Sequence, residues 1–144
     1  MIKDIYDSIR IILKKTGLRE SKVYFDLDNV PDSLTDKSFI ISEMVPVSGD
    51  YSDPDNKDGF QGSIINVKSA MKIFISKNIS MNNVGDDLRY ISAMVETIIK
   101  KMISIEVGTT LDNVRFVGSN SFQNGVVLVT EIDFDINYRI NNLI

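Results

Sequence analysis

From Gly125 to Ile140 the chain reads GVVLVTEIDFDINYRI, and apolar and polar residues alternate along it. Leu128, Thr130, Ile132, Phe134, Ile136, Tyr138 and Ile140 take every second place, and Val129, Glu131, Asp133, Asp135, Asn137 and Arg139 fall between them. Successive side chains leave opposite faces of a strand, so this period predicts one apolar face and one acidic, wet face. At roughly 3.3 Å per residue the strand reaches roughly 50 Å, well past the common length of about 5–6 residues. It is expected to bend at a bulge or to overhang its own sheet.

The remaining pattern supplies cover for that apolar face. Ile2, Ile5, Ile9 and Ile12, widened by Tyr6 and Leu13, make a helical stripe over Ile2 to Lys15, with Gly17 as its stop. Lys22 to Leu27 predicts a short strand, ended by the turn chemistry of Asp28-Asn29-Val30-Pro31-Asp32. Ser38 to Val45 predicts another, which Pro46 ends or confines to an edge. Ile64 to Lys77 is a long strand with Ile65, Val67, Met71, Ile73 and Ile75 on one face and Asn66, Lys68, Ala70, Lys72 and Phe74 on the other. It pairs with Ser38 to Val45 as a hairpin whose tip is the loop Ser48 to Ser63. Leu88, Ile91, Val95, Ile98 and Met102 step by three and four, predicting the main helix from Val84 to about Ile103. Val107 to Asn113 is connecting chain, and Asn113 to Gln123 is a strand with Val114, Phe116 and Gly118 on one side. Asn124-Gly125 predicts a type I′ turn into the closing strand. The fold class is therefore α+β: a mostly antiparallel sheet of about four to five strands, covered by an N-terminal and a central helix. One domain over residues 1–144 accounts for the length.

Composition narrows the chemistry. Hydrophobic residues make up 43% and charged residues 25%, an ordinary globular balance. No apolar run is long enough to span a bilayer, and the mixed charges of MIKDIYDSIR are unlike a signal peptide. The net charge of −4 disfavours general nucleic-acid affinity. The chain contains neither Cys nor His. That removes thiol nucleophiles, disulfides, the commonest general base and most zinc sites, so no cofactor and no catalytic residue is expected.

Two acidic groupings have spacings that bear on metal binding. Asp53, Asp55, Lys57, Asp58 and Gly59 have a calcium-loop rhythm, but the third ligand place is a lysine and the twelfth is Ile64 rather than Glu. Asp26 with Asp28, and Glu131, Asp133 and Asp135, lie near enough to share a cation or raise one another's pKa. A solvated face chosen for solubility is the preferred explanation. There is no phosphate-binding glycine loop. A small carboxylate-based metal-binding or enzymatic domain stays open as an alternative.

Long strands and a long polar hairpin tip point to assembly. Strand edges pair with neighbouring chains unless blocked, and head-to-tail contacts close into rings. The order of elements is similar to that of the tail terminator (tail completion) proteins of long-tailed bacteriophages, the lambda-like family. The likeness runs through IYDSIRIILKKTG, KVYFDLDNVP, SFIISEMVPVSGDY, INVKSAMKIFISKN, DDLRYISAMVETIIKKM and VLVTEIDFDINYRI, which is nearly the whole chain, and it rests on no invariant motif. The resemblance implies a structural, non-enzymatic virion protein, made in the host cytoplasm. It implies a hexameric ring that caps the tail tube, ends its growth and offers a head-joining surface; another head–tail joining or neck protein is the near alternative. The partners implied are copies of itself, the tail tube protein and the head–tail connector, with no membrane. The assembly loop would include Asp50, Tyr51, Asp53, Asp55, Lys57, Asp58 and Phe60. In such a ring Glu131, Asp133 and Asp135 would either line a channel through which DNA passes without specific binding or lie on the outer face.

Overall fold

The computed structural model describes residues 2–21, 36–42, 44–51, 63–105 and 111–142. Chain order is α1 (Ile2–Lys15), β1 (Arg19–Glu20), β2 (Ser38–Ile41), β3 (Val45–Tyr51), β4 (Ser63–Asn78), α2 (Val84–Ile103), β5 (Leu111–Asn124) and β6 (Val127–Asn142). The fold is α+β. The strands form one six-stranded sheet in the order β1-β2-β4-β6-β5, with β3 pairing β4 on the same side as β2. The pair β1–β2 is parallel and all others are antiparallel.

Strands β4 and β6 pair along all sixteen residues of each, from Ser63 opposite Asn142 to Asn78 opposite Val127. The expected overhang of the closing strand is therefore absent: its partner is equally long. The bulges lie in β3 and β5 instead. Register decides the faces. Met71, Ile73, Ile75, Ile132, Phe134, Ile136 and Tyr138 are buried on one face beneath both helices. From α1 come Ile5, Ile9 and Leu13, and from α2 Met94, Ile98 and Met102. Leu88 belongs to the predicted stripe yet is exposed, because it sits near the start of α2, outside this core. Phe134 meets Phe116 edge to face at 6.1 Å, a favourable aromatic geometry. The helix-free face holds a smaller apolar cluster of Ile40, Phe74 and Val129.

Several predicted boundaries shift for local reasons. The strand expected over Ser38 to Val45 is split into β2 and the start of β3. Across the break the Tyr6 hydroxyl donates to Ser42 O at 3.2 Å and accepts a bond from Met44 N. Ser42 Oγ accepts Lys72 N at 2.8 Å. Side chains thus satisfy backbone groups that the interrupted ladder leaves over. Strand β3 continues to Tyr51, so the loop begins later than Ser48. Strand β5 begins at Leu111, inside the stretch expected to be connecting chain. At the β5–β6 turn Asn124 pairs with Val127, which makes Gly125 and Val126 the central residues. Gly125 has φ +61° and Val126 does not share that sign. A glycine alone at the first central place suits a type II′ turn, not the predicted type I′. The two-residue strand β1 and the split of β2 from β3 raise the strand count above expectation. The strand predicted over Lys22 to Leu27, with Asp26 and Asp28, lies outside the described residues.

The start of α2 is tied to the sheet by Lys77, whose Nζ lies 3.6 Å from Asp36 and 3.4 Å from Asp87. Asp87 also accepts Ser80 N at 2.8 Å. The Lys77 side chain is 14% exposed, so these contacts are screened less than surface pairs.

Phe134→Ala is expected to lower unfolding free energy by about 3–5 kcal/mol, since Phe134 is 1% exposed at the centre of the core. Val126→Ala, at a turn position 64% exposed, is expected to change it by less than about 0.5 kcal/mol. Urea denaturation of the two variants checks both values.

Candidate assembly site

Strands β3 and β5 stand on opposite sides of the sheet, and among the described residues each pairs on one side only. Strand β3 carries one register shift and β5 two. In β3 it falls between Pro46 and Ser48, leaving Val47 as the extra residue; in β5 one falls between Leu111 and Asn113, and the other between Phe116 and Gly118 leaves Val117. Val47 and Val117 are 61% and 57% exposed. Val45, Phe116 and Phe122 are exposed nearby. Polar residues ordinarily occupy such positions on an edge that must stay single.

The edges are nonetheless guarded. A bulge disrupts the ladder locally and increases twist. Pro46 lies opposite Ser69. The even-numbered residues of β4 bond toward this side, since Ser76 O accepts Lys37 N and Lys72 O accepts Ser42 N. Ser69 and Pro46 therefore face away from each other's ladder positions, and the N–H that proline lacks falls on the free side. Pairing at β3 is possible only in a register that tolerates that gap.

Beside β5 lies a groove of about 440 Å³ between α2 and the sheet. Its roof is Ile91, Val95 and Ile99, and its floor is Ser119, Ser121 and Thr130. The cause is local: opposite Ile132 and Thr130, β5 places the small residues Ser119 and Ser121. They leave the outer flank of α2 without a counterpart. Glu96 and Lys100 at the rim pair with each other at 2.9 Å.

The helix-free face carries the acidic alternation of β6, and adjacent strands answer it. Lys72 Nζ lies 3.1 Å from Glu131, and Lys68 Nζ lies 3.3 Å from Asp135. Arg115 is opposite Asp135 on the β5 side. Glu131, Asp133 and Asp135 are thus brought together, but as part of a mesh of both signs. Asp133 is the exception. Its neighbours are Lys72, whose amino group is engaged by Glu131, and Gly118, which has no side chain. Gly118 was expected to share a face with Val114 and Phe116; the bulge at Val117 turns it to this face instead. Asp133 Oδ1 is buried without a hydrogen-bond partner. Burial, then the adjacent Glu131 carboxylate, push the Asp133 pKa up to about 6.

Of the predicted loop residues, Asp50 and Tyr51 close β3, opposite Asn66 and Ile65. Asp53, Asp55, Lys57, Asp58 and Phe60 lie outside the described residues. Among the described residues, no three of the His, Cys, Asp and Glu types gather closely enough to hold a metal ion, and no helix is long and apolar enough to cross a membrane. Sequence reasoning passed over Val47 and Val117. Val117 had a signal, an apolar residue that breaks the two-residue alternation of Val114 and Phe116, whereas Val47 keeps the alternation begun by Val45 and had none beyond its place after Pro46.

No family model matches the chain, and no curated protein is similar to it at a significant level. Among solved structures it is similar to a chain described as "Virion of native gene transfer agent (GTA) particle". The two share 9% sequence identity with a TM-score of 0.49, over 97% of this chain and 95% of the other.

The raised pKa of Asp133 has a signed consequence. Its unfolded value is 3.8 and its folded value about 6. The native state therefore holds a proton that the unfolded state has lost across that window. The contribution of Asp133 to stability is greatest below the window and is lost as pH rises through about 6. Asp133→Asn is expected to raise the melting temperature at neutral pH, with the gain shrinking toward pH 4. Thermal melts across that range check the sign, and an equal gain at every pH contradicts it.

Proposed function

We propose that this chain is a structural subunit of a phage-type tail, a tail terminator whose copies join head to tail in a ring. The ring caps the tail tube, ends its growth and presents a surface to head-side proteins. The observation that carries this reading is the pair of bulged, exposed valines, Val47 and Val117, on edge strands at opposite sides of one sheet. A contact between unlike edges repeats from copy to copy and closes when the rotation allows, as a ring requires. In this arrangement β3 of one copy lies beside β5 of the next. Its inward side chains reach over Ser119 and Ser121 into the groove beneath α2, whose lining is predominantly apolar.

The helix-free face is then the wall of the channel. Lys68 and Lys72 offset Glu131 and Asp135 on it, so the wall is closer to neutral than β6 alone. Such a wall offers DNA neither a basic stripe to grip nor a strongly repelling one. Residues 52–62, which follow β3 in the chain, contribute contacts on assembly.

Sedimentation tests the ring and its polarity together. The parent chain is expected to form closed oligomers, while Val47→Lys and Val117→Lys each abolish them and leave the monomer melting temperature within about 2 °C. Mixing the two variants is expected to yield a 1:1 dimer, because each retains the edge that the other lacks. Pairing between like edges predicts no such dimer. Replacing residues 52–62 by a short turn is expected to keep the fold and weaken assembly. Addition of the parent chain to growing tail tubes is expected to stop elongation; unaltered growth assigns the ring to a neck position instead.

A further inference from the structure

A second surface lies on the helix side, formed by the end of α1 and the middle of α2. It is a cleft of about 240 Å³ with Ala93, Met94 and Tyr90 among its walls and Lys15 and Lys101 at its border. Each lysine has a neighbour in sequence that is already engaged. Lys14 pairs with Glu20 at 3.6 Å, and Lys100 pairs with Glu96 at 2.9 Å. Among the described residues, Lys15 and Lys101 have no ion-pair partner. Beyond the cleft wall, Lys37 Nζ lies 5.4 Å from the centre of the Tyr90 ring and helps hold the Asp87 carboxyl in its charged form. Lysines suit the carbonyl ends of helices. That preference accounts for their place in sequence and leaves their amino groups available.

We propose that this cleft docks an acidic segment of a partner protein. Two lysines without an ion-pair partner among the described residues, with Lys37 over the adjacent Tyr90 ring, border an apolar-walled hollow, which is unexpected on a chain of net charge −4. They complement a segment that carries carboxylates beside a small apolar side chain. The apolar side chain enters against Met94 and Ala93, while the carboxylates meet Lys15 and Lys101. Rim charges of this kind steer encounter and set partner choice, and their effect weakens with salt. Nucleic acid fits less well. It needs a continuous basic track, and here the neighbouring Lys14, Lys100 and Lys77 are already taken up by Glu20, Glu96, Asp36 and Asp87. The cleft has no lining residue on β3 or β5, so it is a contact additional to the ring and independent of it.

Fluorescence anisotropy with the full chain tests this, using a labelled peptide of alternating Glu-Glu-Leu triplets. The probe is expected to bind the parent at low salt and to weaken as salt rises. The double variant Lys15→Glu/Lys101→Glu is expected to bind about tenfold less tightly or worse. Lys14→Glu/Lys100→Glu, which alters the paired neighbours on the same two helices, is expected to cost markedly less. Val47→Lys should bind the probe like the parent, since the cleft does not depend on assembly. Circular dichroism confirms that the variants fold. Equal loss in both double variants overturns the proposal. So does a short DNA duplex or inorganic phosphate that binds more tightly than the peptide.

Discussion

The antiparallel pairing of β4 with β6 decides most of what this molecule is. Two strands of equal length, matched residue for residue, commit every alternate side chain to one face or the other. A slip of one residue would send Ile132, Phe134 and Ile136 to solvent and the carboxylates of β6 under the helices. Burial of the apolar face therefore fixes the register, and the register places everything else. Both helices must lie on that face. The charged positions of β6 must lie on the other, within reach of Lys68 and Lys72. The remaining strands add at the flanks, where the sheet is left open.

What lies at those flanks reconciles stability with association. An unpaired strand edge is a hazard unless something limits what can add to it. Here the limits are local. Pro46 removes one donor from the free side of β3, and bulges distort both edges. The exposed valines at those bulges offset the protection by presenting apolar surface to a matching edge. An edge of this kind discriminates: arbitrary strands meet the gap and the twist, whereas a chain shaped to both finds a partner. Specificity of that sort combines attraction with a built-in obstacle. The partly hollow space under α2 belongs to the same logic, since Ser119 and Ser121 leave room that the chain does not fill for itself.

Much of this architecture was legible in the order of residues. The stripes Ile5, Ile9, Leu13 and Ile91, Ile98, Met102 placed both helices, and the two long alternating runs placed β4 and β6 with the correct faces inward. What escaped was decided by contacts distant in sequence. The break between β2 and β3 depends on Tyr6, some thirty-six residues away, bridging Ser42 and Met44. Nothing local to Ser42 announces it. The turn moved by one residue because the ladder, not Asn124, set its closing pair. Along β6 the acids alternate plainly, but only the register with β4 brings lysines beside Glu131 and Asp135 and leaves Asp133 without a close counterion of its own. The candidate edges were visible as a general tendency of long strands; the residues on them were not, because bulges are products of pairing.

The central claim is that unlike edges of one sheet meet between copies, and the absence of cysteine from the chain permits a direct measurement. With Val47→Cys and Val117→Cys in the same chain, mild oxidation should join Val47's position in one copy to Val117's in the next. Non-reducing electrophoresis is then expected to show a ladder of covalent multimers that ends at a closed ring and collapses to monomer on reduction. Monomer alone after oxidation, or a single dimer that neither single-cysteine variant loses, contradicts the account.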